Sequence, residues 1–419
     1  MRKICFVTGS RAEYGLLNGL MKAVQNDSEL QLQIVATNMH LSPEFGLTYR
    51  EIEKDGFTID KKVEMLLSSD TAVGTTKSVG LGMISFADAF EDLNPDLIVI
   101  LGDRYEMIAV ASAALFHKIP LAHIHGGEIT EGAYDDCIRH AISKMSHLHF
   151  TSTEAYRKRV IQLGEQPERV FNVGAIGIEN IKHVPVMSKD ELEVSLNFKM
   201  GDKCIIVTYH PVTLEDNSAE KQIEALLSAL DTLEDYKIIF TYPNSDTNGS
   251  IIIEKVNEYV ADYPEKAKAW PSLGLKRYLS ALHYVTAVIG NSSSGIIEVP
   301  SFGIPTLNIG DRQKGRITAE SVLNCEATES AIMEGLNIVL SDDSMTKAKK
   351  TLNPYEGTRS LHPLHLQAAH NLPALWPQQP RFLCWCSKLL ASSFYPIRSY
   401  TSDTTFRNES EYSIQEKLL

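Results

Sequence analysis

Side chains able to do acid, base or anion chemistry collect in a few short segments of this chain, each closing an apolar run. Asp103 lies in Gly102-Asp103-Arg104, directly after Asp96–Leu101. A carboxylate at the end of a buried strand can act as a general base or bond a sugar hydroxyl; it can equally cap the next helix. His123-Ile124-His125-Gly126-Gly127-Glu128 closes a second run. A period of two puts His123 and His125 on one face of a strand. No third ligand follows at a recognisable metal spacing, so the expectation is one internal histidine, His125 facing a cleft, and no metal. Asp135-Asp136-Cys137-Ile138-Arg139-His140 opens a helix, with Asp135 and Arg139 one turn apart, as are Asp136 and His140. Paired carboxylates ordered by an arginine can divide acid and base roles; compensation of the helix dipole is the plainer alternative.

Other segments suit an anion. Gly9-Ser10-Arg11-Ala12-Glu13-Tyr14-Gly15 joins a strand to a helix. Helix-start N–H groups and the forked Arg11 guanidinium favour phosphate. The spacing is not G-x-G-x-x-G, so no dinucleotide fingerprint is present. His210, in Tyr209-His210-Pro211, closes another strand and can hold a diphosphate or shuttle a proton. Gly290-Asn291-Ser292-Ser293-Ser294-Gly295 precedes Glu298. Ser292 and Ser293 offer hydroxyl and N–H donors, and Glu298 an acceptor for ribose. Arg312, in Gly310–Arg316, adds local cations.

These segments need a scaffold that brings strand ends together. Short β-rich runs at 4–8, 32–37, 96–101, 120–125, 148–151 and 170–173 alternate with helical periods. The pattern restarts at 204–208, 236–241, 267–270, 285–290 and 306–309. This predicts α/β architecture with two doubly wound parallel sheets, in an N-terminal unit 1–175 and a C-terminal unit 176–357. Ligands in such sheets bind beyond the strands' carboxyl ends. Helices are expected over 43–55, 83–93 and 295–301, and a mobile loop over 66–82.

Composition narrows the function. The 419 residues carry 40 basic and 53 acidic side chains, a formal charge of −13. A broad nucleic-acid surface or polybasic membrane anchor needs concentrated positive charge. Six scattered cysteines fit a reducing compartment. No window holds 18 uninterrupted apolar residues, so a cytoplasmic protein without membrane or nucleic-acid partners is expected.

Taken together, GSRAEYG (9–15), LGDRYE (101–106), HIHGGE (123–128), DDxxRH (135–140), YHPVT (209–213), GNSSSG (290–295) and GDRQKGR (310–316) resemble the hydrolysing UDP-N-acetylglucosamine 2-epimerases. The likeness is greatest to the bacterial enzymes of sialic acid biosynthesis and extends over roughly 1–357. It implies a GT-B-type fold of two Rossmann-like domains, a homodimer or homotetramer, and no cofactor. It also implies conversion of UDP-N-acetylglucosamine and water to N-acetylmannosamine and UDP, through elimination to a 2-acetamidoglucal. Matching positions put Asp103, Glu128, Asp135 and Asp136 around the sugar, with Arg139 ordering them. Arg11 and His210 would meet the diphosphate; Ser292, Ser293 and Glu298 would hold phosphate and ribose, near Arg312. Residues 66–80 would form a lid. His125 departs from many relatives, which carry Glu there. The alternatives are a UDP-2,4-diacetamido-2,4,6-trideoxyglucose hydrolysing 2-epimerase for legionaminic acid and a GT-B glycosyltransferase.

The end of the chain departs from the family. Residues 361–419 hold 5 of 17 prolines and 2 of 3 tryptophans, yet only 9 of these 59 residues are charged. A frameshifted or altered gene end over 358–419 is the expectation; a family-like helix failing to emerge in another reading frame would refute it.

Overall fold

A computed structural model describes residues 1–67, 71–212, 214–215, 218–244 and 248–357. The tail reading for 358–419 lies outside the described residues. Among those described, thirteen strands form two wholly parallel sheets. The first contains β1 (Arg2–Thr8), β2 (Leu30–Thr37), β3 (Lys61–Val63), β4 (Leu97–Leu101), β5 (Leu121–Ile124), β6 (Leu148–Thr151) and β7 (Val170–Asn172). Its order is β3-β2-β1-β4-β5-β6-β7. The second contains β8 (Cys204–Thr208), β9 (Lys237–Thr241), β10 (Ala267–Trp270), β11 (Ala287–Gly290), β12 (Thr306–Ile309) and β13 (Val322–Cys325), in the order β10-β9-β8-β11-β12-β13.

Burial explains the near-continuous apolar runs. Every residue of β4 and β5 is buried, as are four of the five in β8, because helices cover both faces of a parallel sheet. Ile4, Phe6, Leu17 and Ile34 build the core on one face of the first sheet, and Cys5, Val7, Phe86 and Ile98 that on the other. Each sheet has one place where strand order reverses: between β1 and β4, and between β8 and β11. There the loops leave in opposite directions and open a crevice at the carboxyl ends.

Several expectations are corrected. Residues 72–93 are one helix, Ala72–Leu93, capped by Thr71 Oγ1 accepting from Gly74 N, rather than the later part of a loop over 66–82 or a lid over 66–80; 68–70 lie outside the described residues. Its small residues serve packing: a Cβ on Gly82 would lie 2.9 Å from Met65 Cε and 3.2 Å from Ala109 Cβ. Close approach to the helix Tyr105–Phe116 thus outweighs low helix propensity. The stretch 43–55 divides into a 3₁₀ turn, Pro43–Phe45, and a short helix, Tyr49–Lys54. Pro300 ends the expected 295–301 helix, leaving Ser294–Ile297 and a 3₁₀ turn, Val299–Phe302. Helices Ile176–His183 and Lys189–Leu196 fill the junction between the sheets.

The chain returns to the first sheet before residue 357. Ile317 N donates to Tyr156 Oη (2.9 Å), which bonds Tyr355 Oη (3.0 Å), which donates to Ile317 O (2.8 Å). Ala175 N donates to Tyr355 O (3.0 Å). Tyr355→Phe leaves the Ile317 carbonyl and the buried Tyr156 hydroxyl short of a partner. We expect it to lower the unfolding free energy by about 1–3 kcal/mol, read from urea denaturation; an unchanged midpoint would show that the ring contributes nothing.

Candidate active site

The two crevices face one another and share a cleft. Its walls include Asp103, Arg104, His125, Glu128, Asp135 and Arg139 from loops of the first sheet, with Ser10 and Glu13 from the turn after β1. Asn244, Ser293, Arg312, Gln313 and Arg316 come from loops of the second sheet. The carboxylates Glu13, Asp103, Glu128 and Asp135 thus all lie on the first sheet's side, beside Arg104 and Arg139, while the charged groups on the second sheet's side are the cations Arg312 and Arg316.

Arg139 organises the acidic side. It projects from the helix Asp135–Met145 and is almost completely buried. Nη1 donates to Glu128 O (2.8 Å) and reaches Asp136 Oδ1 (3.3 Å); Nη2 bonds Thr130 Oγ1 (3.0 Å) and Asp103 Oδ2. One planar guanidinium thus ties two loops, at Asp103 and at 128–130, to the start of its own helix. Asp103 keeps a partly open carboxylate, 23% exposed, which suits exchange with a ligand. Asp135 lines the cleft, whereas Asp136 stands behind it, its Oδ1 accepting from Thr130 N (2.7 Å).

Glu128 is committed. Oε1 accepts from Ser152 Oγ (2.6 Å) and Oε2 from Arg316 Nη1 (2.5 Å), with both side chains of the ion pair nearly inaccessible. Alongside, Glu131 N donates to Lys314 O (2.9 Å). The 311–316 loop of the second sheet is thereby seated on the first. Arg316 stood within a noted motif but carried no individual role; its pairing across 188 positions has no local signal.

Both histidines are buried, but they do not share one face, and only His125 lines the cleft. His123 is internal, its Nε2 on Gly102 O (2.7 Å) and Nδ1 on Ser143 Oγ (3.1 Å); burial lowers its pKa to about 3. β5 ends at Ile124, and His125 takes φ of +65°. The alternation that would put both on one face is therefore broken. His125 Nε2 accepts from Ile176 N (3.2 Å), so Nδ1 carries the proton, 3.5 Å from Glu128 Oε1. Burial lowers its pKa, Glu128 opposes, and Arg316 adds to the fall. No group of three or more His, Cys, Asp or Glu among the described residues is arranged to hold a metal ion.

A family model described as UDP-N-acetylglucosamine 2-epimerase matches residues 22–362.

The chain belongs to the UDP-N-acetylglucosamine 2-epimerase family.

Within that family, the GDP/UDP-N,N'-diacetylbacillosamine 2-epimerase (hydrolyzing) of Campylobacter jejuni is 51% identical, covering 78% of this chain and 85% of its own. Polysialic acid biosynthesis protein P7 of Escherichia coli is 42% identical over 85% of this chain and 90% of its own. The crystal structure of the Neisseria meningitidis UDP-GlcNAc 2-epimerase bound to UDP-GlcNAc superposes with a TM-score of 0.70 at 17% identity, covering 84% of this chain and 96% of the other. That likeness establishes the expected GT-B-type fold.

Some residues expected at the site of this epimerase-family member lie off the cleft wall. Arg11 pairs with Glu51 (2.5 Å) and donates to Ser272 O (3.2 Å), crossing to the second sheet's loops. His210 is buried at the β8 edge of the crevice, its Nδ1 accepting from Asn244 N (3.4 Å) and its N–H donating to Asn291 Oδ1 (2.7 Å). Burial, then Arg312 and Arg104, hold it neutral. Arg312 Nη1 donates to Asn291 O (3.2 Å). Ser293 reaches the cleft; Ser292 and Glu298 do not line it. Glu298 packs against Gly177, and burial raises its pKa to about 7. Thr213 of the YHPVT segment lies outside the described residues.

Among the described residues, no helix is long and apolar enough to cross a membrane.

Proposed function

We propose that this chain is a hydrolysing 2-epimerase of a nucleotide-activated 2-acetamido sugar. The observation that carries the reading is the cleft itself: Asp103, held by Arg139, and Asp135 share it with Arg312 and Arg316. A carboxylate takes the weakly acidic C2 proton. The C1–O bond breaks toward the cationic side, and the nucleoside diphosphate leaves with the bonding pair. Water adds at C1 of the resulting glycal, and a proton returns to C2 on the opposite face. Asp103 and Asp135 are the acid–base pair in this reading, and Glu128 is a positioning residue because both its oxygens are engaged. His210 and Ser293 stand on the nucleotide side, and the parts 1–175 and 176–357 act as the two lobes.

The similarity to the Campylobacter jejuni protein favours a 2,4-diacetamido-2,4,6-trideoxy sugar. The similarity to the Escherichia coli protein named for polysialic acid supports UDP-N-acetylglucosamine as the second reading. Proton NMR in deuterated water tests both. The protein receives the UDP- and GDP-linked diacetamido sugars and UDP-N-acetylglucosamine in separate tubes. The expected result is a free 2-epimer carrying deuterium at C2, with nucleoside diphosphate released, fastest for a diacetamido sugar. Preference for UDP-N-acetylglucosamine would establish the second reading. Retention of the C2 proton, or sugar transfer to an acceptor, would overturn the epimerase reading.

A further inference from the structure

The turn after β1 holds a second carboxylate pair that the scheme above leaves unused. Glu13 Oε2 accepts from the backbone N–H groups of Gly9 (2.7 Å) and Ser10 (3.1 Å), closing a capping box with Ser10. Its other oxygen, Oε1, is buried and has no hydrogen-bond partner, although Glu13 lines the cleft. Glu106, on the first turn of the helix Tyr105–Phe116, is completely buried and packs onto the same turn. A Cβ on residue 9 would collide with the Glu106 carboxyl, so glycine is what admits the second acid.

The groups around this pair decide where a proton sits. Arg104 Nε holds Glu106 Oε1 at 2.7 Å, while Glu106 Oε2 has no partner. His40 lies beneath the turn, its N–H on Gly9 O and its ring on Thr8 Oγ1; burial keeps it neutral, with a pKa lowered to about 3. Two adjacent buried carboxylates do not both ionise readily. With the guanidinium committed to Glu106, Glu13 is the member that keeps the proton. Burial and then the Glu106 charge push its pKa up to about 8, against the pull of Arg104 and the two N–H groups.

We propose that Glu13 is an acid of this cleft, a neutral carboxyl whose free oxygen donates its proton to the departing diphosphate. This rests on reading the site as one that expels a nucleoside diphosphate. As the C2–H pair becomes the C1–C2 double bond, the C1–O bond breaks and its electrons pass to the phosphate oxygen. That oxygen takes the Glu13 proton, leaving a carboxylate. When water adds at C1, its proton returns to Glu13 while C2 is protonated from the opposite face. An ionised Glu13 would repel the diphosphate from a helix start that otherwise favours anions; the neutral form removes that conflict.

The test uses the full chain, Glu13→Gln and Glu106→Gln. Glutamine keeps the size and the acceptor for Gly9 and Ser10 but carries no transferable proton. Glu13→Gln is expected to bind UDP by calorimetry as the wild type does, while kcat falls by about 100-fold. The wild-type loss of kcat as pH rises past about 8 should disappear with it. Carbon-13 NMR gives a readout that needs no turnover. One glutamate carboxyl should titrate near pH 8 in the wild type, vanish in Glu13→Gln, and shift down in Glu106→Gln. Full kcat with an unchanged alkaline limb in Glu13→Gln overturns the proposal, as does the absence of any such high-titrating carboxyl. A titrating carboxyl in a wild type that turns over no nucleotide sugar instead overturns the reaction on which the acid role depends.

Discussion

Replacing Arg316 with alanine is expected to lower the unfolding free energy by roughly 3–5 kcal/mol and to abolish turnover. The guanidinium is 6% exposed and meets a Glu128 carboxylate that is 3% exposed. Without Arg316 the carboxylate stays buried with Ser152 Oγ on Oε1 and only the neutral His125 ring, 3.5 Å from Oε1, beside it. It must then remain charged without compensation, take up a proton, or draw water into the joint. Each route loosens the 311–316 loop, and that loop also carries Arg312 into the cleft. Denaturant unfolding measures the first effect and single-turnover kinetics the second. The double variant Arg316→Met with Glu128→Gln separates them, because removing both charges spares the desolvation penalty. It should recover most of the stability and little of the activity. A single variant as stable as the wild type would show that the ion pair is open in solution.

Asp103→Asn should leave the fold intact and reduce kcat by about 10²–10⁴-fold, with UDP affinity unchanged. The side chain keeps its shape, and Arg139 still has Glu128 O, Asp136 and Thr130 Oγ1 as partners. What is lost is a basic oxygen at the strand end where the two sheets' crevices meet. Deuterium washed into C2 of recovered substrate reports the proton-transfer step directly, and it should fall with kcat. If Asp103→Asn retains most of its activity, the base is Asp135, and Asp135→Asn then carries the large effect. The Asp103 and Asp135 variants differ from Arg316→Ala in kind: in the proposed reaction they change the reacting groups, whereas Arg316→Ala loosens the loop that carries Arg312.

Much of this was legible in the sequence because it is local. Buried parallel strands read as short apolar runs, and the residues following them, Asp103, His125, Glu128 and His210, must then lie at carboxyl ends. Family membership likewise follows from seven ordered segments. Local periodicity misleads where packing sustains a helix: Gly80 and Gly82 suggest a loop, yet Gly82 lets the helix Ala72–Leu93 lie against its neighbour. β3, Lys61-Lys62-Val63, and β13, which has no buried residue, carry no buried apolar run to mark them.

Chain order alone places these residues at the strand ends, because a doubly wound sheet leaves them no other place. Which of those residues keep an unengaged polar atom is set by long-range packing. Glu128 is tied by Arg316 and Ser152, His125 by the Ile176 N–H, and Arg11 by Glu51, whereas Asp103 keeps an open face and Glu13 a free oxygen. Those differences arise from ion pairs and hydrogen bonds between segments far apart in the chain. Their strength depends on how much water the packed loops exclude, a quantity that no spacing of residues encodes.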